Sequence, residues 1–179
     1  MGALEDAVDE IATALDRLAI PYMLIGGLAV SAWGEPRSTL DVDLTIWAPD
    51  ELPHLVAELC GVFKAAVSRP DEFVPRTRVL PLVSSQGIRI DVLFAAFPFE
   101  KEMIDRAQSR TVGSRSIPIA TVADLILMKV ISPRDKDRHD VQRLWARFRD
   151  HIDRPYLESR LRELSEALDR PDLIDLLRS

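Results

Sequence analysis

The chain has 179 residues, 47% of them hydrophobic and 29% charged, with a formal net charge of −6. That length builds one domain, or one domain with a small helical appendage, and the acidic total argues against broad, sequence-independent nucleic-acid binding. Cys60 stands alone, which excludes an internal disulfide framework or a cysteine zinc site, and no apolar run approaches the ~20 residues that span a bilayer.

The acidic start, Met1 to Asp6, matches neither a secretion signal nor an N-myristoylation site, so a cytoplasmic location is expected. Charge is uneven along the chain. Residues 1 to 70 carry 4 basic and 11 acidic side chains, whereas residues 101 to 150 carry 11 basic and 7 acidic. A local basic stretch suits a polyphosphate or a short RNA end.

Residues 3 to 19 predict an amphipathic helix, with Leu4, Ala7, Val8, Ile11, Leu15 and Leu18 at helical spacing, ended by Pro21. Tyr22 to Ile25 predicts a short apolar strand running into Gly26-Gly27, followed by a helix from Leu28 to Trp33. Glycine lets a backbone approach a ligand closely, and N–H groups at a helix start suit phosphate.

Leu40 to Trp47 predicts the second strand. Side chains alternate between strand faces, so Leu40, Val42, Leu44 and Ile46 share one face and Asp41, Asp43 and Thr45 the other. Neighbouring carboxylates repel unless something positive stands between them, and carboxylate oxygens are the ligands that hard divalent cations take. Alternation alone fits equally well a half-buried strand with its polar face in water. The glycine pair that ends the preceding strand makes the combination more specific.

Glu51 to Phe63 predicts a core-facing helix. Arg78 to Ser85 and Ile88 to Phe94 are strand-like runs separated by Gln86-Gly87, a tight-hairpin signal. In the second run Ile88, Ile90, Val92 and Phe94 form the apolar face and leave Arg89, Asp91 and Leu93 on the other. Asp91 thus repeats the arrangement of Asp41 and Asp43; the plain alternative is an aspartate facing solvent.

Phe99 to Arg106 predicts a short helix, and Thr111 to Ile119 a loop and short strand around Gly113. Thr121 reads as an N-cap with Asp124 three residues on, and its helix runs to Ile131, stopping before Pro133. Lys129 is the one charge in the run Leu125 to Ile131. It either snorkels outward or serves as a point charge for a polyphosphate. A polar segment, Arg134 to Asp140, precedes a helix from Val141 to Phe148.

His139-Asp140 invites comparison with His-Asp phosphohydrolases. The other histidines, His54 and His151, stand at no metal-ligand spacing, so His139 reads as a surface residue. Asp153-Arg154-Pro155 opens a last helix with the stripe Leu157, Leu161, Leu164 and Leu168. Pro171 then breaks to a short helix carrying Leu173, Ile174, Leu176 and Leu177. Both stripes read as core packing, with a homodimer or cognate partner as the natural cover for any part left exposed.

Gly26-Gly27, a thirteen-residue spacer and Asp41-x-Asp43 between apolar residues resemble the signature of the nucleotidyltransferase superfamily, the polymerase-beta-like fold. The wording Arg37-x-Thr39-x-Asp41-x-Asp43 is similar to the small bacterial branch of minimal nucleotidyltransferases, abortive-infection toxins and antitoxins, and aminoglycoside nucleotidyltransferases. The resemblance implies an α+β fold, a mixed and mostly antiparallel sheet flanked by helices. Residues 1–120 would form the nucleotidyltransferase core and 121–179 a C-terminal helical segment packed on it.

The resemblance further implies Asp41, Asp43 and Asp91 as catalytic and metal-binding carboxylates for Mg2+ or Mn2+. It implies nucleotide contacts from Gly26, Gly27, Ser31, Arg37, Thr39, Lys129 and Asp140. The expected reaction moves a nucleoside monophosphate from a nucleoside triphosphate to a hydroxyl on a tRNA end, a protein side chain or a small molecule. A role in a toxin–antitoxin system, with a cognate toxin or antitoxin as partner, belongs to the same expectation. The alternative is a catalytically weak toxin–antitoxin binding module. An aminoglycoside-type enzyme is less favoured, because the roughly 30 residues after 150 are short for a substrate-binding domain. All three carboxylates and both glycines are present, which favours activity.

Overall fold

The computed structural model describes residues 2–35, 38–49, 52–132 and 134–178, with side chains as far as 175. The chain divides into two compact units, Met1–Ala120 and Thr121–Ser179. In the first unit α1 (Ala3–Arg17), β1 (Tyr22–Ile25), α2 (Gly26–Ala32), β2 (Asp41–Ile46), α3 (Leu52–Val62), β3 (Lys64–Ala65) and α4 (Pro70–Thr77) come first. They are followed by β4 (Val79–Val83), β5 (Arg89–Phe94), α5 (Pro98–Asp105), β6 (Gln108–Val112) and β7 (Arg115–Ile119).

The strands form one seven-stranded sheet in the order β3-β4-β5-β2-β1-β7-β6. Pairs β1–β2, β3–β4, β4–β5 and β6–β7 are antiparallel, and β1–β7 and β2–β5 are parallel. This is the mixed, mostly antiparallel α+β architecture that the motifs imply. Strands β2 and β5 are apolar on their core face because every second residue is: Val42, Leu44 and Ile46 on β2, and Ile90 and Val92 on β5, are fully buried.

Helix α1 buries Ala7, Val8, Ile11, Ala12, Ala14 and Leu15. The Gly2 N–H donates to Glu5 Oε2 at 2.9 Å and satisfies one free donor at its start. Its end comes before Pro21. Ala19 takes the left-handed conformation (φ 54), and the N–H groups of Ala19 and Ile20 donate to Asp16 and Leu15 carbonyls. That closing pattern ends the helix at Arg17, four residues ahead of the proline. From the sheet, Arg115 on β7 reaches back to Asp9 at 2.7 Å and to Asp16, tying α1 down.

Three local differences from the sequence reading have physical causes. Leu40 lies outside β2 and is 85% exposed, so it does not join the apolar face. The β4–β5 connection is not a two-residue turn. It is a three-residue loop, Ser85 to Gly87, because the Ser84 N–H still donates to the Ile88 carbonyl at 2.8 Å, and Gly87 takes φ +82 within it. Residues 108–119 form a full hairpin, turning at Gly113 with φ +61. Helix α4 had no counterpart in the sequence reading. Its signal is present in Pro70 at the first turn followed by Asp71 and Glu72, a favourable helix start.

The second unit is helical: α6 (Val122–Val130), α7 (Asp135–Phe148), α8 (Arg154–Leu168) and a 3-10 helix, Pro171–Arg178. Thr121 caps α6 as its sequence suggests; its hydroxyl accepts from the Asp124 N–H and donates to Asp124 Oδ2 at 2.6 Å. Pro133 lies outside the described residues. Helix α7 begins at Asp135, six residues ahead of Val141, so most of the polar segment belongs to it. Asp137, Asp140, Val141 and Leu144 fall at i, i+3, i+4 and i+7 and form its buried face. In the C-terminal stripes Leu157, Leu161 and Leu173 are buried, while Leu168 is 49% exposed.

Candidate active site

Burial of the alternate apolar residues of β2 and β5 forces their odd-numbered residues onto the opposite face. The parallel register then sets Asp43 directly beside Asp91 and Asp41 beside Arg89. Adjacent strands stand about 4.8 Å apart, and second neighbours along a strand about 6.6 Å. Three carboxylates and one guanidinium therefore occupy the corners of a small block on one sheet face. All three carboxylates are half-buried, and Arg89 is exposed. Further along the same face Thr45 is 2% exposed, and its hydroxyl finds no hydrogen-bond partner. The polar face thus closes over beyond Asp43 and opens only at the start of β2.

Three contacts hold the four corners of the block. Ile25 pairs with Asp43 across the β1–β2 ladder, so Gly26 begins α2 against the Asp43 side chain. Gly26 has φ +69, and a Cβ there would lie 2.0 Å from Asp43 Oδ2 and 2.8 Å from Asp43 Cβ. Glycine is required twice over, for the backbone conformation and for the space. Thr39 donates its hydroxyl to Asp41 Oδ1 at 2.7 Å. Arg89 Nε donates to both oxygens of Asp91, at 2.9 and 3.0 Å. Those hydrogen bonds first, and then the charges of Asp91, Asp41 and Asp43, hold the Arg89 guanidinium protonated above its already high ordinary value.

The other residues singled out by sequence fall in several places. Gly27 is buried in the first turn of α2, and the Ser31 hydroxyl donates to its carbonyl at 3.2 Å. Arg37 lies outside the described residues. Lys129 and Asp140 belong to the second unit. There Lys129 is buried, and its ammonium donates to Asp137 Oδ1 at 2.9 Å and pairs with Asp140 Oδ2 at 2.7 Å. Ser132 donates to the remaining Asp137 oxygen at 2.6 Å, and Arg134 pairs with it too. The Lys129 charge neither snorkels outward nor stands free; it is the centre of a buried ion cluster within that unit.

The donor set suits a hard divalent cation in kind, since all three candidates are carboxylates on one face. Among the described residues, no three Asp, Glu, His or Cys side chains are grouped as a metal ion requires, and Asp91 is turned onto Arg89. Sequence reading placed Arg89 on the Asp91 face yet assigned it nothing. Its signal was available: a cation two residues before a strand carboxylate shares that carboxylate's face.

Comparisons with known proteins bear on the family and the fold. Residues 1–172 match the family described as "Nucleotidyltransferase of unknown function (DUF6036)". No curated protein sequence matches the chain. Among solved structures, the lincomycin-bound lincosamide antibiotic adenylyltransferase LnuA is similar with a TM-score of 0.58 at 16% identity, covering 80% of this chain and 98% of that one. The antibiotic-resistance factor ANT(2'')-Ia also gives 0.58, at 15% identity over 92% and 94% of the two chains. An antigenic nucleotidyltransferase-like protein from Paracoccidioides brasiliensis gives 0.55 at 19% identity, over 97% and 91%. At these identities the structural likeness shows the fold, and the family match over nearly the whole sequence carries the assignment. The chain belongs to the DUF6036 nucleotidyltransferases.

Proposed function

We propose that the protein moves a nucleoside monophosphate from a nucleoside triphosphate to a hydroxyl acceptor, using a divalent cation, Mg2+ or Mn2+, held by Asp41, Asp43 and Asp91. One observation carries this reading: the register that brings Asp91 beside Asp43, with Asp41 two residues along and Gly26 packed against the Asp43 carboxylate. A solvated strand face needs no such convergence from separate strands.

When bound, the cation supplies positive charge to the triphosphate and to the developing pyrophosphate. The chain's own residues do the rest. Thr39 fixes the orientation of Asp41, and Gly26 leaves room for the Asp43 carboxylate. Asp91 would take up the proton that the acceptor hydroxyl loses. The acceptor oxygen bonds to the α-phosphorus, the bond from that phosphorus to the bridging oxygen breaks, and pyrophosphate leaves. Gly26, Gly27, Ser31 and Arg37 belong to the phosphate side of this reading.

The acceptor classes in view are a tRNA end, a protein side chain of a cognate toxin or antitoxin, and a small molecule; the similar folds of LnuA and ANT(2'')-Ia belong to proteins whose names point to antibiotics. The cytoplasm, where nucleotides and magnesium are plentiful, is the fitting compartment. No helix among the described residues is long and apolar enough to cross a membrane.

The test is calorimetric titration of ATP, GTP, CTP and UTP with magnesium into the wild type and into the double variant Asp41→Asn/Asp43→Asn. Magnesium-dependent binding of at least one nucleotide, lost in the variant, is the expected result and names the base. Binding that survives in the variant, or that ignores magnesium, refutes the carboxylate assignment.

A further inference from the structure

The block on the sheet face holds a cation of its own. Arg89 Nε donates to both Asp91 oxygens, and its neighbour across the parallel ladder is Asp41. Its guanidinium is therefore attracted by all three carboxylates. A divalent ion needs the same Asp91 oxygens, and each of them already spends one of its lone pairs and part of its charge on the guanidinium. The two positive charges also repel when close.

We propose that Arg89 is a built-in competitor for the divalent cation, occupying Asp91 until the ion displaces it. The inference rests on the carboxylate reading above and adds to it a residue that sets how tightly the ion binds. Exchange of this kind is physically accessible because the two partners differ in burial: the Arg89 side chain is 58% exposed, while that of Asp91 is 18% exposed. The guanidinium has open solvent to swing into, whereas the carboxylate stays in place on its strand. An exposed ion pair is also weak enough to be given up. Once released, the same guanidinium stands beside the site where a triphosphate brings its oxygens, groups that arginine pairs with well.

The test is Mn2+ binding to the full chain without nucleotide, followed by electron paramagnetic resonance of the free ion. It compares wild type, Arg89→Gln, Arg89→Lys and Arg69→Gln. Arg69 is a surface arginine whose partner is Glu72, so its loss reports the generic effect of removing one positive charge. Arg89→Gln is expected to bind Mn2+ about tenfold more tightly, the loss of one ion pair plus one opposing charge. Arg69→Gln is expected to change affinity by less than about twofold, since distant charges are screened. Arg89→Lys keeps the charge and should stay near wild type.

Equal or weaker Mn2+ binding by Arg89→Gln overturns the inference and leaves the carboxylate site standing. An equal gain in Arg69→Gln overturns it as well, because the effect is then one of net charge. Absence of Mn2+ binding by every variant and by the wild type refutes the carboxylate site itself, and the inference with it. A second readout is thermal unfolding in the presence of chelator and of Mn2+. Arg89→Gln should start lower than wild type, with its carboxylates uncompensated, and should gain more from the ion.

Discussion

Replacing Gly26 with alanine tests the link between the glycine pair and the carboxylates, and Gly87 supplies its control. Both glycines have positive φ, +69 at Gly26 and +82 at Gly87. An L-residue in the left-handed region costs about 1–2 kcal/mol. At Gly87 a Cβ meets nothing within 4 Å, so Gly87→Ala should cost that backbone strain alone. At Gly26 the new Cβ overlaps Asp43 Oδ2 at 2.0 Å, Cγ at 2.7 Å and Cβ at 2.8 Å. Turning the carboxylate away relieves the first overlap but leaves the last, since Asp43 Cβ is fixed to its strand. The backbone of β1 or β2 must then move, and forced repacking of this kind costs about 1–3 kcal/mol more. Gly26→Ala should therefore lose about 2–5 kcal/mol in urea denaturation at unchanged m-value. Its Mn2+ affinity should fall while that of Gly87→Ala is kept. Equal losses of stability in the two variants, with Mn2+ binding intact in both, would falsify the idea that Gly26 makes room for Asp43.

Two further predictions concern the buried ion cluster of the second unit. Lys129→Met leaves Asp137 and Asp140 without the cation they share; the side chains of these three residues are 2–8% exposed. Removing one partner of such a cluster should cost about 3–5 kcal/mol, read as a drop in the urea midpoint. A loss below about 1 kcal/mol would mean that the cluster is not what fixes α6 to α7. The acid side gives the other. Burial pushes the Asp137 carboxyl up, but hydrogen bonds from Ser132, Lys129 and Arg134 outweigh it and bring its pKa down to about 2. A depressed folded-state value stabilises the protein above the ordinary value of 3.8, and this stabilisation is lost as pH falls towards 2. The amount is about 2 kcal/mol. Stability measured from about pH 5 downwards should fall more steeply in wild type than in Asp137→Asn, and parallel curves would remove Asp137 from the acid transition.

Much of the site was legible because its signal is local. Alternation over Asp41 to Ile46 and over Ile88 to Phe94 assigns faces without knowledge of the partner strand, since a strand's side chains have period two wherever it pairs. The glycine pair after Tyr22 to Ile25 is readable for the same reason: positive φ is a property of one residue. Thr121 capping α6 and the proline-led start of α8 belong to this class as well. Helix α4 escaped attention although Pro70, Asp71 and Glu72 announced it, since its single buried residue, Val74, leaves no apolar period to notice.

What the chain could not state about itself is which strands lie side by side and which charges they bring together. Asp43 and Asp91 are 48 residues apart, and only the parallel register of β2 on β5 makes them neighbours. The same register adds Asp41 beside Arg89. Lys129 shows the converse. From sequence it was a lone charge on an apolar helix, with snorkelling and ligand binding both open. The pairing of α6 with α7 supplied Asp137 and Asp140, two carboxylates from a segment that reads in sequence only as a polar stretch ahead of the helix. Local periodicity follows from the geometry of one backbone segment and so is written in sequence. The electrostatic fate of a side chain depends on charges that are distant in the chain, and the tertiary structure alone decides which of them arrive.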